Sequence, residues 1–491
     1  MMRRMGSRRS LPSNALIGGG NDTINEERTM KAETLPTQGA AQDLIRFSHA
    51  LSLEAVPGTV IESAKWCLLD SLGCALFGSL QPWAKIMAEE MLAEGSKGRS
   101  SIVGRKETLA APGAALCNGT ATHGFELDDL LDEAIVHPGA VVVPAALAAA
   151  EAIDAPGSCL LLGIIAGYEA INRVSLAIGL EPARRGHHQT ALAGPLGAVI
   201  GAGVVMNLSP AHLTAAVGLA CSTASGTKSF AAGTGGGMMK RMHAGRAAET
   251  GVRMSQLAAR GFTAPPSALD GHFGLLEVFS GKSARPEQLN ADLGERWAVE
   301  QVYVKVYSCC AWIQASVQQL VAMRGPQPLN AQQVKKLQVG VCSYAARNNG
   351  SVAPPDTMGA QYSLPYCAAL ALTADPRDPA MFAGDELDEP SRRELARRLE
   401  IVVDPEMEAA YPKHYGARVH LELANGEPHD SAVLDPHGMP ADPCTEAERL
   451  DKFTRLASHV KSPAAVADII SKVRSTERLN SVRELTDLLR N

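Results

Sequence analysis

The chain has 491 residues, of which 46% are hydrophobic and 20% are charged, and its formal net charge is -6 at pH 7. This balance is typical of a globular protein and excludes the disordered and fibrous classes. A slightly acidic chain has no basic surface that could neutralise many phosphates, so we expect no nucleic-acid partner.

The first 38 residues form a polar segment without a sustained apolar period. We predict a disordered N-terminal tail over residues 1–38. Arg3, Arg4, Arg8 and Arg9 leave a targeting role open, although the glutamates of the same segment are not typical of a transit peptide.

The pattern becomes helical at residue 39 and stays helical to about residue 294. Apolar residues recur at spacings of three and four, and Pro, Gly or Asn separates successive segments. The most apolar segments are rich in Ala, Leu and Gly and cover 139–153, 157–180, 191–206, 210–226 and 243–260. We predict a large all-helical domain over 39–294. Its uncharged runs are shorter than the roughly 20 residues of a membrane span, so we expect no membrane insertion.

Alternation of apolar and polar residues replaces the helical period near residue 298. Strand patterns occur at 302–306, in VKKLQVGV, and in RVHLELANGE, which ends in a turn at Asn425 and Gly426. They predict a smaller α+β lid domain over 295–440. The segment 441–491 is again helix-like and is predicted to return to the helical domain. The predicted fold class is therefore mainly α.

Common cofactor motifs are not found in this sequence. The glycine-rich run 233–237 has the spacing neither of a dinucleotide fingerprint nor of a Walker loop, and there is no zinc-binding motif. We predict a flexible loop at 233–237, with an anion cradle as the lesser alternative, and we expect no metal and no cofactor. The ten cysteines include no C-x-x-C pair, which indicates reduced thiols and a cytoplasmic location.

One segment concentrates acidic and imidazole side chains directly before an apolar helix. It contains His123, Glu126, Asp128, Asp129 and His137 within fifteen positions. An abrupt change from charged to buried is typical of a pocket rim, and histidine titrates near neutral pH. A solvated acidic loop with a helix-capping histidine would give the same pattern, so both interpretations stay open.

Two further charged segments precede helices. His187 and His188 are neighbours in sequence and point apart, so at most one is expected to face a site. Lys240, Arg241 and His243 begin another helix, whose N-terminal dipole would suit carboxylate groups. An exposed basic first turn is the alternative interpretation of that second segment.

Six motifs in chain order resemble those of the MmgE/PrpD family, which includes 2-methylcitrate dehydratase and cis-aconitate decarboxylase. They are KWCLLDSLGCALFG, ELDDLLDEAIVHPGAVVVPAALA, GHHQTALAGPLGA, MMKRMHAGRAAETG, KVYSCC and QYSLPY. The resemblance covers about residues 40–490. It implies a large helical domain, a smaller lid domain, a cleft between them, a homodimer and a metal-independent enzyme.

The resemblance also implies a set of pocket residues, which are Glu126, His137, His188, Lys240, Lys305, Cys310 and Tyr366. Together with the charged segments, it predicts catalysis by His137, His188, Lys240 and Tyr366, and substrate binding by Glu126, Asp128, His243, Lys305 and Cys310. This chain departs from the family pattern at some positions. Leu130 stands where cis-aconitate decarboxylases commonly have a hydroxyl or aromatic residue, and Gln314 stands where a histidine is frequent.

The activity implied by the resemblance is that of a lyase, a dehydratase or decarboxylase of a small di- or tricarboxylate such as 2-methylcitrate or cis-aconitate. Such reactions build up negative charge beside a carboxylate, which positioned acids, bases and cations can manage. Two alternatives stay open. One is an epimerase or isomerase of an amino- or imino-dicarboxylate such as iminodisuccinate, and the other is a non-catalytic polycarboxylate-binding relative.

Overall fold

The computed structural model describes residues 39–231 and 237–491. The predicted tail and the run 233–237, apart from its last glycine, lie outside the described residues. The described residues pack as one compact unit. The division into a helical domain and a lid domain therefore stays a prediction.

Helices make up most of the described chain, which confirms the predicted mainly α class. Up to residue 294, each predicted apolar segment corresponds to a helix close to the predicted boundaries. The helices of this part are α1 (Ala40–Ala50), α2 (Gly58–Gly78), α3 (Pro82–Ala93), α4 (Ala111–Thr122), α5 (Gly139–Ile153), α6 (Gly157–Ile178), α7 (Glu181–Arg184), α8 (Gln189–Val205), α9 (Pro210–Cys221), α10 (Met239–Ala259) and α11 (Leu275–Ser280).

The rest of the chain mixes helices with strands. Its helices are α12 (Ala311–Arg324), α13 (Ser343–Asn348), α14 (Thr357–Gln361), α15 (Leu364–Thr373), α16 (Pro390–Arg398), α17 (Pro405–Ala410), α18 (Glu446–Ala457), α19 (Pro463–Arg474) and α20 (Arg483–Leu489). The strands of the described chain are β1 (Ser100–Ser101), β2 (Thr108–Leu109), β3 (Leu130–Leu131), β4 (Val302–Tyr303), β5 (Val334–Val341), β6 (Glu400–Val403), β7 (Ala417–Leu423) and β8 (Pro428–Val433).

Local sequence explains where several helices begin. Proline stands in the first turn of α3, α9 and α19, where a missing amide hydrogen leaves no helical bond unmade. Ser209 and Ser462 accept backbone hydrogen bonds at the starts of α9 and α19. Thr445 and Glu448 form a reciprocal capping box on α18.

Small residues allow the central helices to approach closely. At the contact between α6 and α8, a methyl group on Gly163 would lie 2.8 Å from the carbonyl oxygen of Gly201, and one on Gly197 would lie 3.0 Å from that of Gly167. Backbone therefore packs directly on backbone here. The high alanine and glycine content of the sequence is used to build this tight helical core.

The sheet of the C-terminal part has the strand order β6-β5-β7-β8. Strand β5 pairs in parallel with β6 and antiparallel with β7. The predicted turn at Asn425 and Gly426 is confirmed, because it joins β7 to β8 and Gly426 has a φ of 87°.

The strand predicted at 302–306 is wrong in length. Only Val302 and Tyr303 form β4, which pairs with β3. The amide of Val304 donates instead to the carbonyl of Gly438, and Lys305 turns toward a buried carboxylate. The alternating valines mark an extended buried segment that has no neighbouring strand along most of its length.

Apolar side chains gather in two main clusters, one around the helices of the first 300 residues and one around β5, β7, α12 and α15. Helix α18 packs against α2, near the start of the described chain. Helix α6 is long and apolar enough to cross a membrane, but 83% of its most apolar window is buried inside the protein. Its composition is explained by its place in the core.

Candidate active site

A cavity of about 130 Å³ opens between the N-terminal helices and the C-terminal part of the chain. Its charged and imidazole lining comes from distant parts of the chain and consists of Glu126, His137, Arg184, His187, His188, Lys228, Lys240 and Lys305. Five of these eight were predicted as site residues, and Arg184, His187 and Lys228 were not. Both His187 and His188 line the cavity, so the expectation that at most one of them would do so was wrong. The structure therefore brings the core of the predicted set into one place.

Four helices begin at this cavity. His137 directly precedes Pro138 and α5, His188 is the residue before α8, Lys240 lies in the first turn of α10, and Cys310 precedes α12. All four side chains line the cavity. The first backbone amides of a helix carry partial positive charge, so this arrangement favours a negatively charged ligand.

Glu126 lies between two lysines at the base of the cavity. The Lys240 ammonium donates to one carboxylate oxygen, and Lys305 Nζ lies 3.4 Å from the other. All three side chains are 1% exposed. Burial favours the neutral acid, but the two ammonium groups outweigh it and hold the pKa of Glu126 below its ordinary value.

The two lysines differ in acidity. Burial lowers the pKa of Lys240 in spite of Glu126. At Lys305, burial also acts against the charged form, but the attraction of Glu126 prevails and the pKa is raised. Lys305 therefore stays a fixed cation, and Lys240 is the lysine that releases a proton more readily.

Asp128 lies behind the cavity wall and contacts two histidines, His123 and His137. Its Oδ2 accepts a hydrogen bond from His123 Nδ1 at 2.6 Å and lies 3.0 Å from His137 Nδ1. Burial alone would raise the pKa of Asp128, but the two imidazoles lower it well below its ordinary value. Burial lowers the pKa of His123 to about 3 and also lowers that of His137. Both rings are therefore neutral at pH 7.

A second imidazole pair continues from this group. His188 Nδ1 lies 2.9 Å from His243 Nδ1, so one ring donates a hydrogen to the other. His123 stacks on His188, with ring centroids 5.8 Å apart. Burial, followed by the neighbouring His123 and Lys240, lowers the pKa of His188 well below its ordinary value. His243 and Asp128 do not line the cavity; they contact the residues that do.

Arg241 connects the cavity base to the C-terminal part of the chain. Its guanidinium donates to the carbonyl of Gly124 at 3.1 Å and to Gln361 Oε1 at 3.1 Å. Gln361 in turn donates to the carbonyl of Phe125 at 2.8 Å. Lys240, Arg241 and His243 at the start of α10 are thus buried, so the interpretation of this segment as an exposed turn was wrong. Arg241 and Gln361 thus both donate hydrogen bonds to backbone carbonyls directly before Glu126.

Two groups within the described chain have donor atoms close enough for a metal ion. In His123, Asp128 and His137 these atoms lie within 4.8 Å of one another, and His437, Cys444 and Glu448 form the other group. Two donors on a tetrahedral zinc ion would stand about 3.4 Å apart. The 2.6 Å contact between His123 and Asp128 is shorter than that and is a direct hydrogen bond. The first group therefore fits a direct hydrogen bond between His123 and Asp128, with His137 beside it, better than a metal site.

Two family models match successive parts of the chain. Residues 42–288 match the MmgE/PrpD N-terminal domain, and residues 307–477 match the MmgE/PrpD C-terminal domain. The chain belongs to the MmgE/PrpD family. The resemblance found in the six sequence motifs is confirmed.

Several relatives of this MmgE/PrpD protein match along almost their whole length. The cis-aconitate decarboxylase of Aspergillus terreus is 26% identical over 93% of this chain and 97% of the relative. The cis-aconitate decarboxylase-like protein oryM of Aspergillus oryzae is 26% identical over 93% and 98%. The human cis-aconitate decarboxylase is 25% identical over 90% and 92%.

Tyr366, which was predicted to be catalytic, does not line the cavity. Its hydroxyl donates to the carbonyl of Met381 and accepts from Arg392 at 3.1 Å, so it faces away from the cavity. Tyr362 lines the cavity instead, and its ring centroid is 5.5 Å from Lys240 Nζ. Burial and then Glu126 raise the pKa of Tyr362 well above its ordinary value, so its hydroxyl keeps its proton.

Sequence reasoning missed three residues of the site. His123 was noted in the acidic segment but not assigned a role, and Tyr362 and Phe230 were not assigned either. Phe230 lines the cavity and contacts the ring of His188 at a centroid distance of 5.1 Å. The spacing of His123 from Asp128 was the one available signal, since a histidine and an acid five residues apart can meet across a tight turn.

Proposed function

We propose that this protein is a lyase, a dehydratase or decarboxylase that acts on a small di- or tricarboxylate such as cis-aconitate or 2-methylcitrate. The observation that carries the proposal is the convergence of His137, His188, Lys240 and Lys305 on one cavity at the starts of several helices. The relatives named cis-aconitate decarboxylase support the same reaction class.

The charges of the cavity suit a polyanionic substrate. Glu126 is paired with Lys240 and Lys305, and Arg184 and Lys228 also line the cavity, so its lining carries more cationic than anionic groups. A substrate with two or three carboxylates complements this charge and brings negative charge beside the neutral imidazoles. Nearby negative charge raises the pKa of an imidazole, so substrate binding itself prepares His137 or His188 as a proton donor.

The proposed mechanism divides the work between two sides of the cavity. His188 and Lys240 face the reacting carbon from the N-terminal helices, while His137 and Tyr362 deliver the opposing proton or orient the substrate. Lys305 stays positively charged and binds a carboxylate that remains on the substrate. Charge that develops beside the departing group is stabilised by these donors and by the helix starts.

The direct test is to incubate the pure protein with 2-methylcitrate, citrate, cis-aconitate and iminodisuccinate and to follow the products by NMR. We expect a new alkene or loss of CO₂ from at least one tricarboxylate. The Lys240→Ala variant should lose this activity, whereas Lys85→Ala, on the exposed face of α3, should retain it. Inverted stereochemistry without a change of mass would instead identify an epimerase, and binding without turnover would identify a non-catalytic relative.

We also propose that the protein is a homodimer. Three large apolar side chains in residues 262–278 are strongly exposed, Phe262 at 58%, Phe273 at 80% and Val278 at 62%. A dimer interface that covers them would remove this apolar surface from water. Light scattering after gel filtration should give twice the chain mass, and a monomer mass would contradict the proposal. Metal independence and a cytoplasmic location stay predictions.

A further inference from the structure

The cavity continues beyond its charged base into a wall of aromatic rings. The chain contains only eight tyrosines, and four of them line this cavity, namely Tyr344, Tyr362, Tyr411 and Tyr415. Trp312 lies among them, with its ring centroid 4.1 Å from that of Tyr415 and 5.1 Å from that of Tyr344. Aromatic residues are thus concentrated at one place in a protein that otherwise has few.

Packing alone does not account for this wall. Trp312, Tyr344 and Tyr411 are only half-buried, so their rings keep surface that faces the cavity. The hydroxyl groups of two rings already form hydrogen bonds within the protein. The Tyr415 hydroxyl donates to the carbonyl of Asp132 at 3.2 Å, and the Tyr344 hydroxyl accepts from Lys228 at 2.8 Å. Lys228 Nζ lies 5.3 Å from the centroid of the Tyr344 ring, and Tyr344 stacks on Tyr411, so the ring surface that these contacts leave uncovered is what the wall offers to a ligand.

Aliphatic side chains complete the same surface. Leu130, Ile135 and Leu180 line the cavity together with the rings. Leu130 is 4% exposed and belongs to the same apolar cluster as Tyr415, next to Trp312. A substrate made only of carboxylates and a short carbon skeleton would leave this surface in contact with water. A single methyl group is also too small to cover these five rings.

We propose that the substrate is a di- or tricarboxylate that carries an alkyl chain longer than a methyl group, and that Trp312 and its neighbouring tyrosines bind this chain. The proposal rests on the proposed function, because it assumes that the carboxylates occupy the charged base near Lys240 and Lys305. Burial of a methylene group is worth about 0.8 kcal/mol, which corresponds to about a fourfold gain in affinity per methylene.

The test is isothermal titration calorimetry with succinate, 2-methylsuccinate, 2-butylsuccinate and 2-hexylsuccinate. We expect the affinity to increase about fourfold for each added methylene up to the butyl derivative at least. In the Trp312→Ala variant, this increment should fall to about twofold or less. The control is Trp66→Ala, a half-buried tryptophan of α2 outside the cavity, which should keep the full increment.

The outcomes separate this inference from the proposed function. If succinate binds and the longer chains bind no more tightly, the alkyl-chain proposal is overturned and the polycarboxylate site stands. If Trp66→Ala reduces the increment as much as Trp312→Ala, the aromatic wall is not the binding surface. If no dicarboxylate binds, both proposals fail. Should Trp312→Ala not fold, as judged by circular dichroism, Tyr344→Ala provides the same comparison.

Discussion

Glu126 controls the ionisation of the cavity through its contacts with Lys240 and Lys305. Its backbone has a φ of 56°, a left-handed conformation that is uncommon for a residue with a side chain. That conformation directs the carboxylate between the two lysines at the end of the turn formed by residues 123–125. Removal of one partner from a buried ion pair leaves an uncompensated charge, so this small group acts as a unit.

The first prediction concerns the two histidines that line the cavity. His137→Ala and His188→Ala should each lower kcat by about 10²-fold or more, because each removes a positioned proton carrier. Steady-state kinetics with the best tricarboxylate substrate checks this. His49→Ala, at the exposed end of α1, is the matched control and should retain kcat. Unchanged turnover in both cavity variants would remove the histidines from the mechanism.

The second prediction distinguishes the two tyrosines. Tyr362→Phe should lower kcat by about 10²-fold, because a hydroxyl donor is lost from the cavity. Tyr366→Phe should leave kcat unchanged and lower the free energy of unfolding by about 1 kcal/mol. The hydroxyl that it removes forms hydrogen bonds with the carbonyls of Met381 and Glu386 and with Arg392. Kinetics and urea denaturation of both variants measure the difference. The opposite result would restore the assignment made from sequence.

Helix α10 gives the cavity Lys240, and the position of this helix depends on close contact with α4. Gly245 of α10 faces the backbone of Leu116 and Thr120, and a methyl group on Gly119 would lie 2.8 Å from the Cα of Gly245. Lys240, one turn and a half earlier in α10, reaches Glu126 from this fixed helix. The geometry of the ion pair is therefore set by helix packing.

The third prediction follows from that contact. Gly245→Ala should lower the free energy of unfolding by about 1–3 kcal/mol and should lower kcat, because the added methyl group forces α10 away from α4. Thermal denaturation and kinetics measure both effects. Gly58→Ala, at the first position of α2, has no atom within 4 Å of the new methyl group and should leave both unchanged. Equal stability of the two variants would contradict the tight packing.

The molecule as a whole buries groups whose ionisation is shifted in opposite directions. Burial lowers the pKa of His123 to about 3, whereas burial and then Asp70 raise the pKa of Asp129 to about 7. Asp129 accepts hydrogen bonds from the Gly139 amide at 2.8 Å and the Tyr168 hydroxyl at 2.7 Å. Stability therefore depends on pH through terms of opposite sign, and single variants are needed to separate them.

The fourth prediction states the two signs. Below pH 6.5 an unfolded histidine binds a proton that folded His123 does not, so wild type should lose about 1.4 kcal/mol per pH unit relative to His123→Gln as pH falls from 6 to 4. Below pH 7 folded Asp129 binds a proton that the unfolded chain does not. Wild type should therefore gain stability relative to Asp129→Asn as pH falls from 6 to 4. Urea denaturation at several pH values checks both, and slopes of the same sign would contradict the burial argument.

The fifth prediction concerns metal. Dialysis against EDTA should leave kcat unchanged, because His123 and Asp128 already satisfy each other through a direct hydrogen bond. Activity measured before and after dialysis, together with elemental analysis of the protein, tests this. Loss of activity that zinc or another divalent ion restores would show that this group binds a metal.

The sequence was sufficient for the fold class and for most helix boundaries, because helices depend on local signals. Apolar spacing and proline or glycine punctuation are both readable within a few turns of chain, as at α2 and α5. The hairpin at Asn425 and Gly426 was predictable for the same reason, because its turn depends on adjacent residues. The strand at 302–306 was not predictable, because a strand needs a partner that the alternating pattern does not reveal.

The charged base of the site was also largely predictable, from family motifs and from charged residues placed before apolar helices. The choice between Tyr362 and Tyr366 was not. Tyr362 follows the end of α14 and Tyr366 lies in the first turn of α15, with the helix-capping Ser363 between them. Their spacing of four residues therefore does not place them on one helical face, and only the packed chain decides which hydroxyl reaches the cavity.

Local sequence determined the helices of this protein, the hairpin of β7 and β8 and the residue types available for chemistry. Tertiary structure decided which of them meet: His123 with Asp128 and His137, Lys240 and Lys305 on one carboxylate, and an aromatic wall beside them. The physical reason is that secondary structure follows from neighbours along the chain. A site follows from packing between segments, and the direction of each side chain there is fixed by contacts that are distant in sequence.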